Sequence, residues 1–355
     1  EIRECIGCNI CIPKSDPGGN IGCTQNATAG EEFRRGWHPE RFEPAENRDR
    51  DVLVVGAGPA GMECAIVLGK RGFRRVHLVD AGDDIGGIMR WIPQLPGRGE
   101  WGRVLNWRRI QLDKLRNVAV LTGLRLDAEG VREYGAEIVV VATGAFWSPV
   151  GLNRETHEPI AGADASLPHV LTPEQIMVEG KEPPDERVVV YDSDGYFMGP
   201  DLAEKLAVGG YRIEFVTSLE DVSPFSEETL EQVLLKRRLH EVGVKMHRGV
   251  VLDRVEPGRV AGVGEFDEAF ELEADAIVLV TQRVSDDALY HELRDDEERL
   301  EAEGIEAVYR IGDCVAPQLI ADAIFDGHRL AREIDGEDPA VPLPFVRERP
   351  VTALV

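Results

Sequence analysis

Short apolar runs alternate with stretches of helical composition along most of the chain. Runs of strand length occur at residues 51–55, 75–79, 138–142, 187–191 and 276–280. The segments 62–71 and 200–208 follow the first and the fourth of these runs and have the composition of helices. A strand followed by a helix and a further strand is the repeating unit of a parallel α/β sheet. The pattern therefore predicts an α/β protein with two domains whose sheets are largely parallel.

The spacing of the runs also predicts how the chain is divided into domains. A linker rich in proline and polar residues, roughly residues 148–184, separates the two sets of runs. We expect a second domain, at residues 151–288, to be inserted into a first domain built from residues 48–150 and 289–355. This insertion is the arrangement of glutathione-reductase-like proteins. Residues 1–47 precede both domains and contain most of the cysteines.

The charge of the chain restricts its partners. The 355 residues carry a formal net charge of −25 at pH 7, and the acidic residues are spread along the sequence. A surface of this charge repels phosphate backbones and anionic lipid. No apolar run approaches the roughly 18 residues that span a bilayer, and no secretory leader precedes the first motif. We therefore expect a cytoplasmic protein that binds neither nucleic acid nor membrane.

Four of the six cysteines are closely spaced: Cys5, Cys8, Cys11 and Cys23. The spacing C-x2-C-x2-C directs three thiolates toward one cluster, and the fourth cysteine returns across a loop rich in glycine at residues 13–22. Four soft thiolates in a reducing compartment favour a [4Fe–4S] cluster. Zinc is an alternative, although it usually takes paired C-x2-C motifs. Disulfides, which need an oxidising compartment, and unliganded core cysteines stay open as well.

A glycine fingerprint follows the first apolar run. In the sequence Gly56-Ala-Gly58-Pro-Ala-Gly61 the first glycine permits the turn, the second lets the backbone approach a pyrophosphate and the third brings helix and strand together. Asp80 ends the next strand, where an acidic residue accepts hydrogen bonds from ribose hydroxyls. These residues predict a site for an adenine nucleotide, either ADP or FAD.

Three further motifs accompany this fingerprint: Gly86-Gly87, Thr143-Gly144 and Gly312-Asp313. Together with the fingerprint they resemble the pattern of flavoproteins with two dinucleotide domains, so we expect two Rossmann-like nucleotide-binding domains. In that pattern the aspartate of the final pair contacts the ribityl or pyrophosphate part of a flavin nucleotide. Cys64 and Cys314 lie inside these motifs, at positions usually filled by small apolar residues, and we expect them to be unreactive.

The second strand–turn–helix unit has an altered fingerprint. Asp192, Asp194 and Phe197 occupy its three predicted glycine positions. Two carboxylates would repel a pyrophosphate, and a phenyl ring would prevent close packing of the helix on the strand. The sequence therefore predicts a retained fold that has lost NAD(P)H binding. A shifted register, in which Gly195 and Gly199 serve another nucleotide geometry, is the alternative.

Longer stretches of the sequence resemble the family of trimethylamine, dimethylamine and histamine dehydrogenases. The matching stretches cover residues 2–9, 22–26, 142–145, 159–168, 171–175, 196–198 and 319–323. The resemblance implies an oxidoreductase and corresponds to the C-terminal portion of the family. In that family an N-terminal (β/α)8 barrel carries FMN and oxidises the amine, and the cluster after it relays single electrons to an electron-transfer flavoprotein. This sequence contains no barrel, so no catalytic residue is assigned.

The resemblance also implies the cofactor contacts. The four closely spaced cysteines would hold the cluster, and Gly56, Gly58, Gly61 and Asp80 would contact the nucleotide. Because the chain begins at Glu1 without a methionine, we expect a longer protein or a separate subunit that carries the FMN barrel. We also expect a homo-oligomer. Two alternatives stay open: an NAD(P)H-dependent reductase of the 2,4-dienoyl-CoA reductase or glutamate synthase small-subunit type, and a stand-alone electron carrier subunit.

Overall fold

Strands and helices alternate as the apolar runs predict. The computed structural model of the protein describes residues 2–15, 21–34 and 37–341. The strands are β1 (Asp51–Val55), β2 (Arg75–Val79), β3 (Val118–Leu121), β4 (Ile138–Val141), β5 (Ala145–Trp147), β6 (Val170–Leu171), β7 (Arg187–Asp192), β8 (Arg212–Thr217), β9 (Lys245–His247), β10 (Val251–Glu256), β11 (Arg259–Val263), β12 (Ala269–Glu273), β13 (Ala276–Val280), β14 (Arg283–Ser285) and β15 (Ala307–Arg310). The helices are α1 (Cys11–Ser15), α2 (Pro59–Lys70), α3 (Arg103–Asp113), α4 (Ala128–Tyr134), α5 (Pro173–Met177), α6 (Met198–Val208), α7 (Gln232–Glu241), α8 (Ala288–Arg294), α9 (Glu297–Ala302) and α10 (Ile320–Glu333).

The chain divides into two units. The first contains the described residues up to Arg90, together with Glu100–Ala145 and the residues from Ser285 onward. The second contains Trp91–Gly99 and Phe146–Val284. The segment Trp91–Gly99 groups with the second unit because the buried side chain of Arg98 forms ion pairs there with Asp201 at 2.7 Å and Glu231 at 2.6 Å.

The first unit is built on a parallel sheet of strand order β15-β4-β1-β2-β3. Side chains of β1 alternate between its two faces. Val52 and Val54 join the core that includes α2 and α10, whereas Leu53 and Val55 join the core that includes α4 and α8. Both faces are therefore covered, which explains why β1 reads as an uninterrupted apolar run.

Helix α2 lies in the centre of the first unit. Its residues from Ala60 to Gly69 are all buried, as expected for a helix that is apolar on most of its surface. It begins three residues before the predicted start because Pro59 occupies the first helical position, where its missing N–H costs nothing. Helix α10 packs along it so closely that a Cβ at Gly327 would lie 2.2 Å from the carbonyl oxygen of Ala60.

The second unit also contains a parallel sheet, of strand order β6-β13-β7-β8-β9. A three-stranded antiparallel sheet, β10-β11-β12, accompanies it. Side chains from both, including Tyr191, Leu279 and Leu252, share one core. The apolar runs did not predict the antiparallel sheet. The loops between its strands are too short for the crossover that a parallel arrangement requires.

The prediction of an α/β protein with Rossmann-like sheets is confirmed. The parallel sheets of both units have the strand–helix–strand connections that the sequence indicated. Across the part of the chain that the structure describes, no helix combines the length and the apolar character needed to cross a bilayer.

Candidate cofactor-binding sites

The predicted nucleotide-binding residues of the first unit lie at one edge of its sheet. Each set of them follows a strand: Gly56 follows β1, Asp80 follows β2, Thr143 and Gly144 follow β4, and Gly312 and Asp313 follow β15. The carboxyl ends of parallel strands meet at the same edge, and ligands of such sheets bind there. The structure therefore brings together residues that are up to 257 positions apart, from Gly56 to Asp313.

The three glycines of the fingerprint have different physical roles. Gly56 has φ +107°, and a Cβ there would lie 2.2 Å from the carbonyl oxygen of Ala142. A Cβ at Gly61 would lie 1.9 Å from the carbonyl oxygen of Gly56. By contrast, a Cβ at Gly58 would meet nothing within 4 Å. Gly56 and Gly61 are thus required by the fold, whereas Gly58 leaves open space at the N-terminus of α2, where a phosphate would be bound.

The second glycine pair completes the same turn. The backbone N–H of Gly86 donates to the carbonyl oxygen of Ala57 at 2.8 Å. A Cβ at Gly87 would lie 3.1 Å from Cα of Gly58. The Gly86-Gly87 pair therefore borders the open space in front of Gly58.

Acidic side chains hold the backbone around this edge. The carboxylate of Asp80 accepts the N–H groups of Ala57 and Gly82, both at 2.7 Å. The carboxylate of Asp313 accepts the N–H of Gln318 at 3.1 Å. Asp80 is thereby fixed beside the glycine turn, at the position where the sequence predicts the ribose contact.

The N-terminal cysteines lie in the first unit and differ in exposure. Cys5 is exposed, Cys8 is buried, and Cys11 and Cys23 are intermediate. Cys8 Sγ lies 3.1 Å from the hydroxyl of Thr24. Burial raises the pKa of the Cys8 thiol, and hydrogen bonds with Thr24 and with the backbone of Ile10 partly offset this rise. Most of the loop that returns to Cys23, residues 16–20, is outside the described residues.

The donor chemistry of this segment fits an iron–sulfur cluster, because four thiols are the soft donors that such a cluster requires. Gly7 N–H donates to Cys5 Sγ at 3.3 Å, and Gly7 and Asn9 both have positive φ, which folds the C-x2-C-x2-C stretch into a tight loop. In the described ranges no three Cys, His, Asp or Glu side chains are placed to share one metal ion.

The other two cysteines are buried in the first unit. Cys64 lies in α2 and Cys314 follows β15, and neither is paired in a disulfide. Burial raises the pKa of both thiols. They therefore have little thiolate character at neutral pH.

A cavity opens beside the cysteine segment. Its volume is about 910 Å³, and Cys5, Cys23, Lys70 and Trp107 are among its lining residues. The guanidinium of Arg3 stacks on the Trp107 ring, 3.7 Å from the ring centroid. Burial lowers the pKa of Lys70. The Cys5 side of the segment is thus accessible and bordered by basic and aromatic side chains.

A buried charge network lies behind the cysteine segment, and sequence reasoning did not find it. Glu63 of α2 and Arg108 of α3 form a fully buried ion pair at 2.9 Å. Arg108 also donates to the side-chain oxygen of Gln25 at 3.1 Å. In the sequence Glu63 is a glutamate within an apolar helix and Arg108 is one of three arginines on α3, and neither position indicates a partner.

The turn after β7 in the second unit is filled by a side chain of its own strand. The carboxyl group of Asp192 is buried, and its Oδ1 accepts the N–H groups of Asp194 at 3.0 Å and Gly195 at 3.1 Å. A Cβ at Gly199 would lie 2.7 Å from Cγ of Asp192. The N–H groups that could bind a phosphate at this turn are therefore occupied by the Asp192 carboxyl group.

The predicted register of the second fingerprint needs one correction. Phe197 does not occupy the position of closest helix–strand contact, because it lies just before the start of α6. The guanidinium of Arg98 lies 4.4 Å from the centroid of the Phe197 ring. Gly199 occupies the position of close contact. The turn between β7 and α6 is two residues longer than the turn between β1 and α2, which explains the shift.

Asp192 should make the stability of the chain depend on pH. Burial and, secondarily, the charge of Asp194 raise the pKa of Asp192 to about 8 from the ordinary value of 3.8. The folded state thus keeps a proton that the unfolded state loses, so the free energy of unfolding falls as the pH rises from about 4 to about 8. We expect the free energy of unfolding of Asp192→Asn, measured by urea denaturation, to exceed that of the wild type by a few kcal/mol at pH 8 and by a clearly smaller amount at pH 5.

The control for this comparison is Asp185→Asn, an exposed position of the same unit. It should not change the pH dependence of unfolding. An Asp192→Asn variant whose difference from the wild type is the same at pH 5 and pH 8 would contradict the assignment of a protonated carboxyl group.

Comparison with known proteins finds relatives along the whole chain. Residues 54–106 match the family described as an NAD(P)-binding Rossmann-like domain, and residues 171–273 match the OYE-like second alpha/beta domain. Dimethylamine dehydrogenase of Hyphomicrobium sp. (strain x) is 46% identical, over 98% of this chain and 50% of that protein.

Two solved structures are similar to the fold. Histamine dehydrogenase from Rhizobium sp. 4-9 superposes with a TM-score of 0.91 at 39% identity, over 98% of this chain and 53% of that chain. The 6-hydroxypseudooxynicotine amine oxidase from Pseudomonas geniculata N1 superposes with a TM-score of 0.88 at 41% identity, over 94% of this chain and 49% of that chain. This chain therefore spans about half the length of the relatives it matches.

Proposed function

Because this chain is homologous over 98% of its length to dimethylamine dehydrogenase and to histamine dehydrogenase, we propose that it is the electron-transfer portion of an iron–sulfur flavoprotein amine dehydrogenase. The amine would be oxidised at an FMN in a barrel domain or subunit outside this chain. Single electrons would pass from that FMN through the iron–sulfur site of this chain to an electron-transfer flavoprotein.

The observation that carries this proposal is the packing of the cysteine segment onto the nucleotide-binding unit. Arg108 of α3 donates to Gln25, which lies two residues after Cys23. Trp37 packs against Phe325 and His328 of α10, at 5.7 and 5.5 Å between ring centroids. The thiols thus belong to the same unit as the glycine fingerprint, which suits a protein in which a cluster and a nucleotide act together.

The residues of the cysteine segment have definable roles in this function. Cys5, Cys8, Cys11 and Cys23 would hold a [4Fe–4S] cluster, which supplies one-electron chemistry when bound. Gly7 N–H donates to Cys5 Sγ, and Thr24 lies within hydrogen-bond distance of Cys8 Sγ. Hydrogen bonds to the sulfurs stabilise negative charge on them and help to set the reduction potential.

The carboxyl edge of the first sheet would bind an adenine nucleotide. The open space at Gly58 suits a pyrophosphate at the N-terminus of α2, and Asp80 lies beside it. Both ADP and FAD contain the groups that these residues recognise. We therefore propose that one of these two nucleotides is bound at this edge.

The filled turn of the second unit favours the amine dehydrogenase over an NAD(P)H-dependent reductase. A reductase needs a phosphate site after β7, and the Asp192 carboxyl group occupies the N–H groups there. A phosphate would also meet the half-buried Asp194. With nicotinamide disfavoured, the electrons would leave through another protein, and an electron-transfer flavoprotein is the acceptor that we propose.

The proposal predicts the cofactor content of the purified chain. After denaturation we expect about four iron and about four sulfide per chain, as in one [4Fe–4S] cluster, and about one adenine nucleotide, which chromatography identifies as ADP or FAD. If FAD is present, NADH and NADPH should not bleach its absorbance, because the second unit offers no phosphate site. Zinc in place of iron would contradict the proposal, and rapid bleaching by NADH or NADPH would favour the reductase.

A further inference from the structure

The buried ion pair between Arg108 and Glu63 needs an explanation, because such a pair is costly. The side chains are 0% and 2% exposed, and Arg108 Nη2 lies 2.9 Å from Glu63 Oε2. Moving two charges out of water is costly, and a protein with apolar residues of similar volume in place of such a pair is often equally stable. Glu63 moreover lies in α2, whose neighbouring positions are apolar and buried. A role other than stability is therefore indicated.

On one side, Arg108 contacts the cysteine segment. Its Nη1 donates to Gln25 Oε1 at 3.1 Å and its Nη2 to the carbonyl oxygen of Gln25 at 3.5 Å, two residues after Cys23. Gln25 in turn donates from Nε2 to the carbonyl oxygen of Glu4 at 3.2 Å. Arg108 thus supports both the residue that precedes Cys5 and the stretch that follows Cys23.

On the other side, the orientation of Arg108 is fixed by residues of α2 and α10. Arg332 donates from Nε to His328 Nε2 at 3.1 Å, so His328 carries its proton on Nδ1 and donates it to Glu63 Oε1 at 3.0 Å. Glu63 is therefore held in place by His328 on one oxygen and by Arg108 on the other. The guanidinium lies between Glu63 and Gln25, and α10 holds the arrangement from behind.

We propose that Arg108 is a positioning residue of the iron–sulfur site and also a fixed positive charge that raises its reduction potential, with Glu63 as the opposing charge. The inference rests on the proposed function. Reduction adds one electron to the site, delivered from the flavin of the proposed barrel, and forms no bond. A buried cation near Cys23 stabilises the added negative charge, and a buried anion destabilises it. The charges of Arg108 and Glu63 therefore act in opposite directions on the same potential.

A redox titration of the full chain, followed by the electron paramagnetic resonance signal of the reduced cluster, tests this proposal. We expect Arg108→Met to shift the midpoint potential to a lower value and Glu63→Gln to shift it to a higher value. The double variant should lie between the two. Opposite shifts would not result from a purely structural role, because damage to the cysteine segment does not depend on the sign of the charge removed.

The control variant is Arg98→Met, which breaks a comparable buried ion pair with Asp201 in the second unit and should leave the potential unchanged. If Arg108→Met loses its iron, Glu63→Gln still decides the question. An unchanged or lowered potential in Glu63→Gln overturns the inference while the cluster itself supports the proposed function. A wild-type chain without iron and sulfide overturns both.

Discussion

Substitution of Cys8 by serine is expected to remove most of the iron and sulfide from the chain. Cys8 is the buried member of the four closely spaced cysteines, and its Sγ lies 3.1 Å from the hydroxyl of Thr24. A serine hydroxyl is a much poorer ligand for iron than a thiolate, and binding of a metal group contributes directly to folding. We expect at least a tenfold loss of iron per chain, with loss of the visible absorbance of the cluster.

The matched control is Cys64→Ser. Cys64 is also buried and forms no disulfide, so its substitution by serine introduces a buried hydroxyl at a similar cost in stability. Cys64 lies in α2, outside the cysteine segment. This variant should keep its iron. If it loses iron as fully as Cys8→Ser, the loss reports unfolding rather than removal of a ligand, and the assignment of Cys8 fails. Circular dichroism of both variants separates these outcomes.

Substitution of Gly58 by alanine is expected to remove the bound nucleotide without unfolding the chain. A Cβ at Gly58 meets nothing within 4 Å, and its backbone angles, φ −72° and ψ −175°, suit any residue. Alanine in place of glycine at this N-cap costs about 1 kcal/mol or less. The methyl group would occupy the space through which a pyrophosphate reaches the N-terminus of α2, so we expect at least a tenfold loss of affinity, which is about 1.4 kcal/mol.

Gly61→Ala should behave differently, because its Cβ would lie 1.9 Å from the carbonyl oxygen of Gly56. We expect this variant to be destabilised by about 3 kcal/mol or more, as for overpacking of a rigid contact. Gly99→Ala is the control, since its Cβ also meets nothing within 4 Å and it lies outside the fingerprint. Calorimetric titration with ADP and thermal unfolding give both quantities. Equal nucleotide affinity in Gly58→Ala and Gly99→Ala would show that the turn does not bind a phosphate.

Much of the fold was predictable because its signals are local. Residues 52–55 are all apolar because both faces of their sheet are covered, and Arg75–Val79 became a strand with the predicted bounds. The glycine fingerprint lies between a strand and a helix as predicted, and the steric reason for Gly61, the carbonyl oxygen of Gly56, is five residues away. The positions of the candidate nucleotide residues then follow from the rule that parallel strands end at one edge.

The turn of the second unit shows where local signals are insufficient. The sequence correctly indicates that carboxylates replace glycines after β7, which argues against a nicotinamide nucleotide. It does not indicate that the carboxyl group of Asp192 binds the N–H groups of its own turn, or that Gly199 rather than Phe197 contacts the strand. Both depend on a turn that is two residues longer than the first, and sequence spacing alone leaves that register open.

By itself the sequence determined the fold class, the glycine turn of the first unit and the set of cysteines, because each depends on residues that are near one another along the chain. Only the tertiary structure placed Arg108 between Glu63 and Gln25 and brought His328 to Glu63, across separations of 83 and 265 residues. From the sequence alone, charged residues are expected at the surface, and only the folded structure shows which of them are buried. Burial and partner, which decide what such charges do, are properties of the folded chain.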